Sequence, residues 1–152
     1  AARAASAEDE GTTGDQPADA ARSEGERKAY DAAFELLKKG RYDEAAQSFA
    51  QFLQEHPQGP YADNAQYWLG ESYYVTSEFE KALEAFRGVP ERYPDSAKLP
   101  DARLKMGYTL YELGRMDEAR TILRKVTQEH PNSAVSRLAE ERLLKIERES
   151  GE

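Results

Sequence analysis

Residues 61–94 read YADNAQYWLGESYYVTSEFEKALEAFRGVPERYP, and this stretch decides the fold. Ala62, Ala65, Leu69 and Tyr73 fall at helical spacing. Gly59 and Pro60 stand ahead of them as a cap and a first-turn proline. The spacing predicts a helix over 61–75 that stops near Thr76 and Ser77. A second helix is predicted over 78–92, with Phe79, Ala82, Leu83, Phe86 and Val89 on one stripe. Tyr93 and Pro94 end it.

The same unit is printed on either side. Pro57, Pro94 and Pro131 are spaced by 37 residues, as are Ala45, Ala82 and Ala119, and Gly40, Ser77 and Gly114. Phe49, Phe86 and Leu123 form a fourth column at that period. A fixed period in four independent columns is the mark of a repeat array, whose usual product is a binding surface. Each column has its own job. Gly40, Ser77 and Gly114 fall at the turn between paired helices, where a small residue lets the chain reverse. Gly70 and Gly107 lie inside first helices, where glycine costs about 1 kcal/mol relative to Ala. Close helix approach is the expected compensation, with Ala33 equally small in the first unit. Ala45, Ala82 and Ala119 do the same on the second helices, and the Phe/Phe/Leu column fills the space between.

After the prolines come Gln58-Gly59, Asp95-Ser96 and Asn132-Ser133, and the Gly or Ser is the expected N-cap of the next helix. The third introduces residues 133–149, a terminal capping helix in which Leu138, Leu143 and Ile146 are expected to cover the last repeat. Residues 1–28 hold no Leu, Ile, Val, Met or aromatic residue. Such a stretch buries too little apolar area to offset its ordering entropy, so a disordered linker is expected there. A chain that opens inside a linker also suggests a fragment of a longer protein.

Composition narrows the function classes. The net charge of −8 is spread along the chain, with bases interspersed among acids. That is a poor match to nucleic acid phosphates, which are bound chiefly by Lys and Arg. No run approaches the 18 or so apolar residues of a transmembrane helix, and no signal peptide is visible. There is no cysteine, which excludes disulfides, thiolate zinc sites and cysteine nucleophiles.

These residues resemble the tetratricopeptide repeat family. The pattern Leu69-Gly70-x-x-Tyr73, Ala82-x-x-x-Phe86, Pro94 follows its signature. Met106-Gly107, Leu110, Ala119, Leu123 and Pro131 match in the third unit, and Ala32-Ala33, Leu36, Ala45, Phe49 and Pro57 more loosely in the first. Two departures stand out. Gln66 occupies the place of the family's Trp, and the period exceeds the common repeat of about 34 residues. The resemblance implies an all-α, right-handed solenoid of three helix-turn-helix repeats, about 29–57, 61–94 and 98–131, with a capping helix at about 133–149. Three longer strings are similar to the Tol-Pal-associated periplasmic protein family of Gram-negative bacteria, also called the cell division coordinator (CpoB/YbgF) family. They are Ala65 to Glu71, Tyr93 to Lys98, and Pro100 to Gly107. That likeness implies a signal peptide and a trimeric N-terminal coiled coil in the full-length protein, then a linker, then this domain in the periplasm. It also implies binding to TolA and coordination of peptidoglycan synthesis with outer-membrane constriction at division.

By the tetratricopeptide resemblance, first helices line a concave groove. Its partner-binding positions are then Tyr30, Phe34 and Lys38; Asn64, Tyr67, Glu71 and Tyr74; and Asp101, Leu104, Tyr108, Tyr111 and Glu112. Arg27, Leu37 and Val75 flank them, and the capping helix adds Leu138, Glu141 and Lys145. Two placements are open for the rings: exposed in the groove as contact hot spots, or packed between helices as core. Tyr favours the groove, because it keeps one polar end wet. The groove lacks the Lys/Asn/Arg cluster with which chaperone-docking relatives grip a terminal carboxylate. Apolar and aromatic contact with an acidic bias is expected, suited to a basic or neutral helix or strand.

No catalytic, metal or cofactor site is expected. His56 and His130 lie two periods apart with Tyr93 between them, a framework column at helix C-termini that the macrodipole favours. Zinc requires converging ligands, and these lie in different repeats. Glu71 and Glu112 are a carboxylate pair in type, but solvated charges on helix faces are far commoner than glycosidase pairs. A non-enzymatic interaction adaptor therefore heads the functional expectations. An oligomerising architectural spacer and a tetratricopeptide adaptor of outer-membrane protein assembly remain open.

Overall fold

The computed structural model describes residues 17–151. Seven helices follow in order: α1 (Pro17–Lys38), α2 (Tyr42–Glu55), α3 (Ala62–Val75), α4 (Phe79–Arg92), α5 (Leu99–Glu112), α6 (Met116–Glu129) and α7 (Ala134–Glu149). The described residues contain no strand. The second helices α2, α4 and α6 begin at Tyr42, Phe79 and Met116, so the printed period survives into space. Each helix packs on the next, and the first helices also touch along the array, α1 on α3 and α5 on α7.

The repeated columns perform the packing expected of them. Ala45, Ala82, Ala119, Phe49, Phe86 and Leu123 are fully buried. A Cβ placed on Gly70 would lie 2.5 Å from the Phe86 ring, and one on Gly107 would lie 2.4 Å from Leu123. Glycine is therefore what lets α3 close on α4 and α5 on α6. In the three turns Gly40, Ser77 and Gly114 take φ of 79°, 63° and 78°. Arg41, Glu78 and Arg115 donate back to the Leu36, Tyr73 and Leu110 carbonyls, which ends the first helices in Schellman geometry.

Gln66, where the family has Trp, is buried and polar for a reason. Its Nε2 donates to the Ala85 carbonyl at 2.8 Å, and Arg92 Nη1 donates to its Oε1 at 3.0 Å. Gly88 leaves room for it: a Cβ there would lie 2.4 Å from Gln66 Nε2. One period on, Arg103 and Glu129 make the same bracket with the polarity reversed.

The first and last helices depart from the columns. Lys28 and Glu35 are exposed on α1, where later repeats place buried Ala65, Ala102 and Ala139 or buried Ser72, Thr109 and Ile146. At the other end, Leu144 stands in the column of Ala33, Gly70 and Gly107 and is 55% exposed.

Three expectations need correction. The linker expected over 1–28 is helical from Pro17 onward, and residues 1–16 lie outside the described residues. A helix nucleated by packing at 29–38 propagates at little cost through Ala, Glu and Arg. Burial of Glu26, whose Oε2 lies 3.3 Å from His56 Nδ1, anchors the extension. Of the three expected N-caps only Ser133 acts as one, its hydroxyl accepting from the Ser136 N–H. Gly59 and Ser96 instead form turns, their carbonyls accepting from Ala62 and Leu99, so the helices start later. In α7, Leu138 is 42% exposed; Val135, Ala139, Leu143 and Ile146 make the contact expected of it.

Candidate functional site

The first helices α3, α5 and α7 present a continuous face of tyrosines with cations lying over their rings. Lys105 Nζ lies 5.0 Å from the Tyr74 centroid and 5.9 Å from that of Tyr108. The Arg142 guanidinium lies 4.0 Å from Tyr108 and 4.8 Å from Tyr111, and Lys145 lies 5.3 Å from Tyr111. Further toward the N-terminus, Lys98 covers both Tyr67, at 4.7 Å, and Trp68, at 5.0 Å. Each cation sits where the negative ring face attracts it. Polar contacts hold the order: Lys105 pairs with Glu71 at 3.0 Å, and the Tyr111 hydroxyl donates to Glu149 at 2.6 Å.

The phenols titrate above their ordinary range. Burial raises Tyr67, and the nearby carboxylates of Glu71 and Asp101 add to it. Burial also dominates at Tyr74, with Glu112 raising it further and Arg142 opposing. At Tyr108 burial again comes first and Arg142 works against it. Tyr111 is raised first by its bond to Glu149. All four are neutral hydrogen-bonding groups at physiological pH.

The structure divides the sequence-predicted positions into two sets. Tyr30, Asn64, Tyr67 and Leu104 are buried and belong to the packing of the array. Tyr30 stacks on Tyr61 at 5.2 Å and meets Phe49 and Phe52 edge-on, which closes the α1–α3 end. Tyr67 packs on Phe86 at 5.6 Å. Glu71, Tyr74, Asp101, Tyr108 and Tyr111 are half-buried, and Glu112 is exposed, as are Val75 and Leu138. Phe34 is half-buried against Trp68, with exposed Lys38 over its outer face at 5.7 Å.

Beside the acids expected on this face stand Lys105 and Arg142, cations that the sequence reading did not place there. Residues 68, 105 and 142 form one column, Trp68, Lys105 and Arg142, and all three are half-buried. The inward stripe read from the sequence passed beside this column, although 68 lies one turn from both 64 and 71. Cations from that column and from Lys98 and Lys145 lie over the rings. His56 and His130 each form the C-cap of their own helix, in the framework column expected for them. Among the described residues no group of His, Cys, Asp or Glu is placed to hold a metal ion.

A stack of helix pairs repeating every 37 residues, each helix packed on the next, defines an all-α repeat solenoid. The chain belongs to the tetratricopeptide repeat family: two models of that repeat match, one over residues 30–97 and one over 101–133. It is similar to the cell division coordinator CpoB of Pseudomonas putida, with 52% identity over 56 residues, 37% of this chain. That match spans 20% of the length of the Pseudomonas protein. Among solved structures, the first tetratricopeptide domain of Spaghetti (RPAP3), bound to the HSP90 peptide SRMEEVD, has a TM-score of 0.72 at 18% identity, covering 86% of this chain and 96% of that one. MamA has a TM-score of 0.59 at 21% identity, covering 79% of this chain and 64% of its own. At these identities the likeness is one of fold.

Proposed function

We propose that this chain is a non-enzymatic, periplasmic protein-interaction module associated with the Tol-Pal system. In this reading it binds a TolA-like envelope protein through the groove of α3, α5 and α7, and couples peptidoglycan synthesis to outer-membrane constriction during division. The observation that carries the proposal is the 52% identity to a protein named as a cell division coordinator. The groove supports it with a place to bind. Its framework columns repeat, while the inner columns Phe34/Glu71/Tyr108/Lys145 and Trp68/Lys105/Arg142 vary from unit to unit, as a surface that reads one partner must.

The test is calorimetric titration of the chain with the periplasmic part of a TolA-like protein. Tyr74→Ala and Tyr108→Ala are each expected to weaken binding about tenfold, as central interface aromatics do. Unchanged affinity in both removes the groove from the proposal, and absence of binding by the unaltered chain removes the partner.

A further inference from the structure

We infer that the C-terminal half of the groove receives an acidic polypeptide segment, its side-chain carboxylates seated on Arg142 and Lys145. The inference rests on the groove being the binding face, as proposed above, and names the chemistry of its occupant.

Arg142 and Lys145 lie one turn apart on the inner face of α7, both half-buried. Among the described residues neither forms an ion pair with a carboxylate, whereas Lys105 beside them is paired with Glu71. Nη1 of Arg142 is buried and has no hydrogen-bond partner there. The residue as a whole is only half-buried, and a carboxylate accepts two guanidinium donors side by side. Ring stacking holds the guanidinium in place before any partner arrives, so little ordering remains to be done on binding.

The opposite charge fits poorly. The faces of Tyr108 and Tyr111 that would attract a partner's Lys or Arg are already taken by Arg142 and Lys145. A basic segment would have to displace both. Four acids stand nearby on the packed elements. Glu71 is engaged by Lys105 and Glu149 by the Tyr111 hydroxyl. Glu112 and Glu141 are exposed at the rim, where solvent screens them most strongly. The net charge of −8 repels an acidic segment only at long range, and at about 0.15 M salt screening over about 8 Å removes most of that. Leu138, exposed one turn before Arg142, gives an apolar neighbour of the carboxylate somewhere to rest. The occupant is therefore acidic with interspersed apolar side chains.

Fluorescence anisotropy on the whole chain tests this with four labelled peptides of about twelve residues. Three have amidated ends and alternate Leu with Glu, Lys or Gln; the fourth alternates Leu with Gln and ends in a free carboxylate. At about 0.15 M salt the Leu/Glu peptide is expected to bind at least about tenfold tighter than the amidated Leu/Gln peptide, with the Leu/Lys peptide weakest. Arg142→Gln and Lys145→Gln should each cost about tenfold for the acidic peptide. Arg137→Gln, the same charge change at an exposed position of α7, should cost nothing. Equal binding of the acidic and basic peptides, or an Arg137→Gln loss equal to that of Arg142→Gln, overturns the inference. Preference for the free-carboxylate Leu/Gln peptide over the Leu/Glu peptide also overturns it, by assigning the site to a chain terminus. Helical circular dichroism checks that each variant is folded, and Lys145→Gln, at a half-exposed position, carries the test if Arg142→Gln unfolds. A TolA-like protein that fails to bind while the acidic peptide binds sinks the proposed partner alone. Partner binding that ignores both Arg142→Gln and Lys145→Gln sinks this inference alone.

Discussion

Tyr67 shows how one residue can belong to two descriptions. Its spacing placed it on the inner face, and its column mate Leu104, one period on, is buried as Tyr67 is. Tyr67 packs on the fully buried Phe86 ring, whereas Tyr74 meets Phe79 at the start of α4, a difference no single stripe reveals. Burial also raises the Tyr67 pKa above its ordinary value near 10, with Glu71 and Asp101 adding to it. Above about pH 10 the unfolded chain loses this proton while the folded chain keeps it. The contribution is therefore intact below that pH and is lost as pH rises through the folded pKa. Tyr67→Phe should accordingly leave stability nearly unchanged at pH 7 and flatten its decline between about pH 10 and 11. Urea midpoints of both proteins across that range measure the difference, and parallel declines would refute the assignment.

At the scale of elements, the glycines carry the clearest physical content. Gly25 and Gly70 both sit inside helices, yet a Cβ on Gly25 meets nothing within 4 Å while one on Gly70 meets the Phe86 ring at 2.5 Å. Gly25→Ala should therefore stabilise by up to about 1 kcal/mol through helix propensity. Gly70→Ala should destabilise by about 1–2 kcal/mol, because overpacking against Phe86 outweighs the same propensity gain. Chemical denaturation gives both values, and a common sign would contradict the packing described for α3 on α4. Helix positions, turns and the closing prolines were legible because each is local and printed three times. Caps at Gly59 and Ser96 were not, since the choice between cap and turn depends on how the loop lies against the preceding repeat. There, Ser96 Oγ donates to Asp63 at 2.6 Å and the Tyr93 hydroxyl donates to the Pro57 carbonyl at 2.7 Å.

Across the whole molecule, helices pack almost entirely on their sequence neighbours, so stability is a sum of local interfaces. Damage should stay where it is made. Ile146, buried where α7 meets the last repeat, anchors the C-terminal cluster with Leu110, Leu123 and Val126. Ile146→Ala should cost about 2–4 kcal/mol, with hydrogen exchange quickened in α5, α6 and α7 and little changed in α2. Uniform loss of protection would show a cooperative unit larger than the repeat.

The sequence by itself determined the period, the helix pairs, the small residues at helix crossings and the framework standing of His56 and His130. These follow from backbone geometry and near-neighbour packing, which recur identically in each unit. Only the tertiary structure decided that α1 runs on from Pro17, that Gln66 and Arg103 bracket adjacent helices, and that Leu138 faces water. It also decided the charge of the groove. Lys105 and Arg142 belong to different repeats and meet the same tyrosine only when α5 and α7 lie side by side. Contacts between units depend on the superhelical placement of one repeat on the next, and no period along the chain encodes that placement directly.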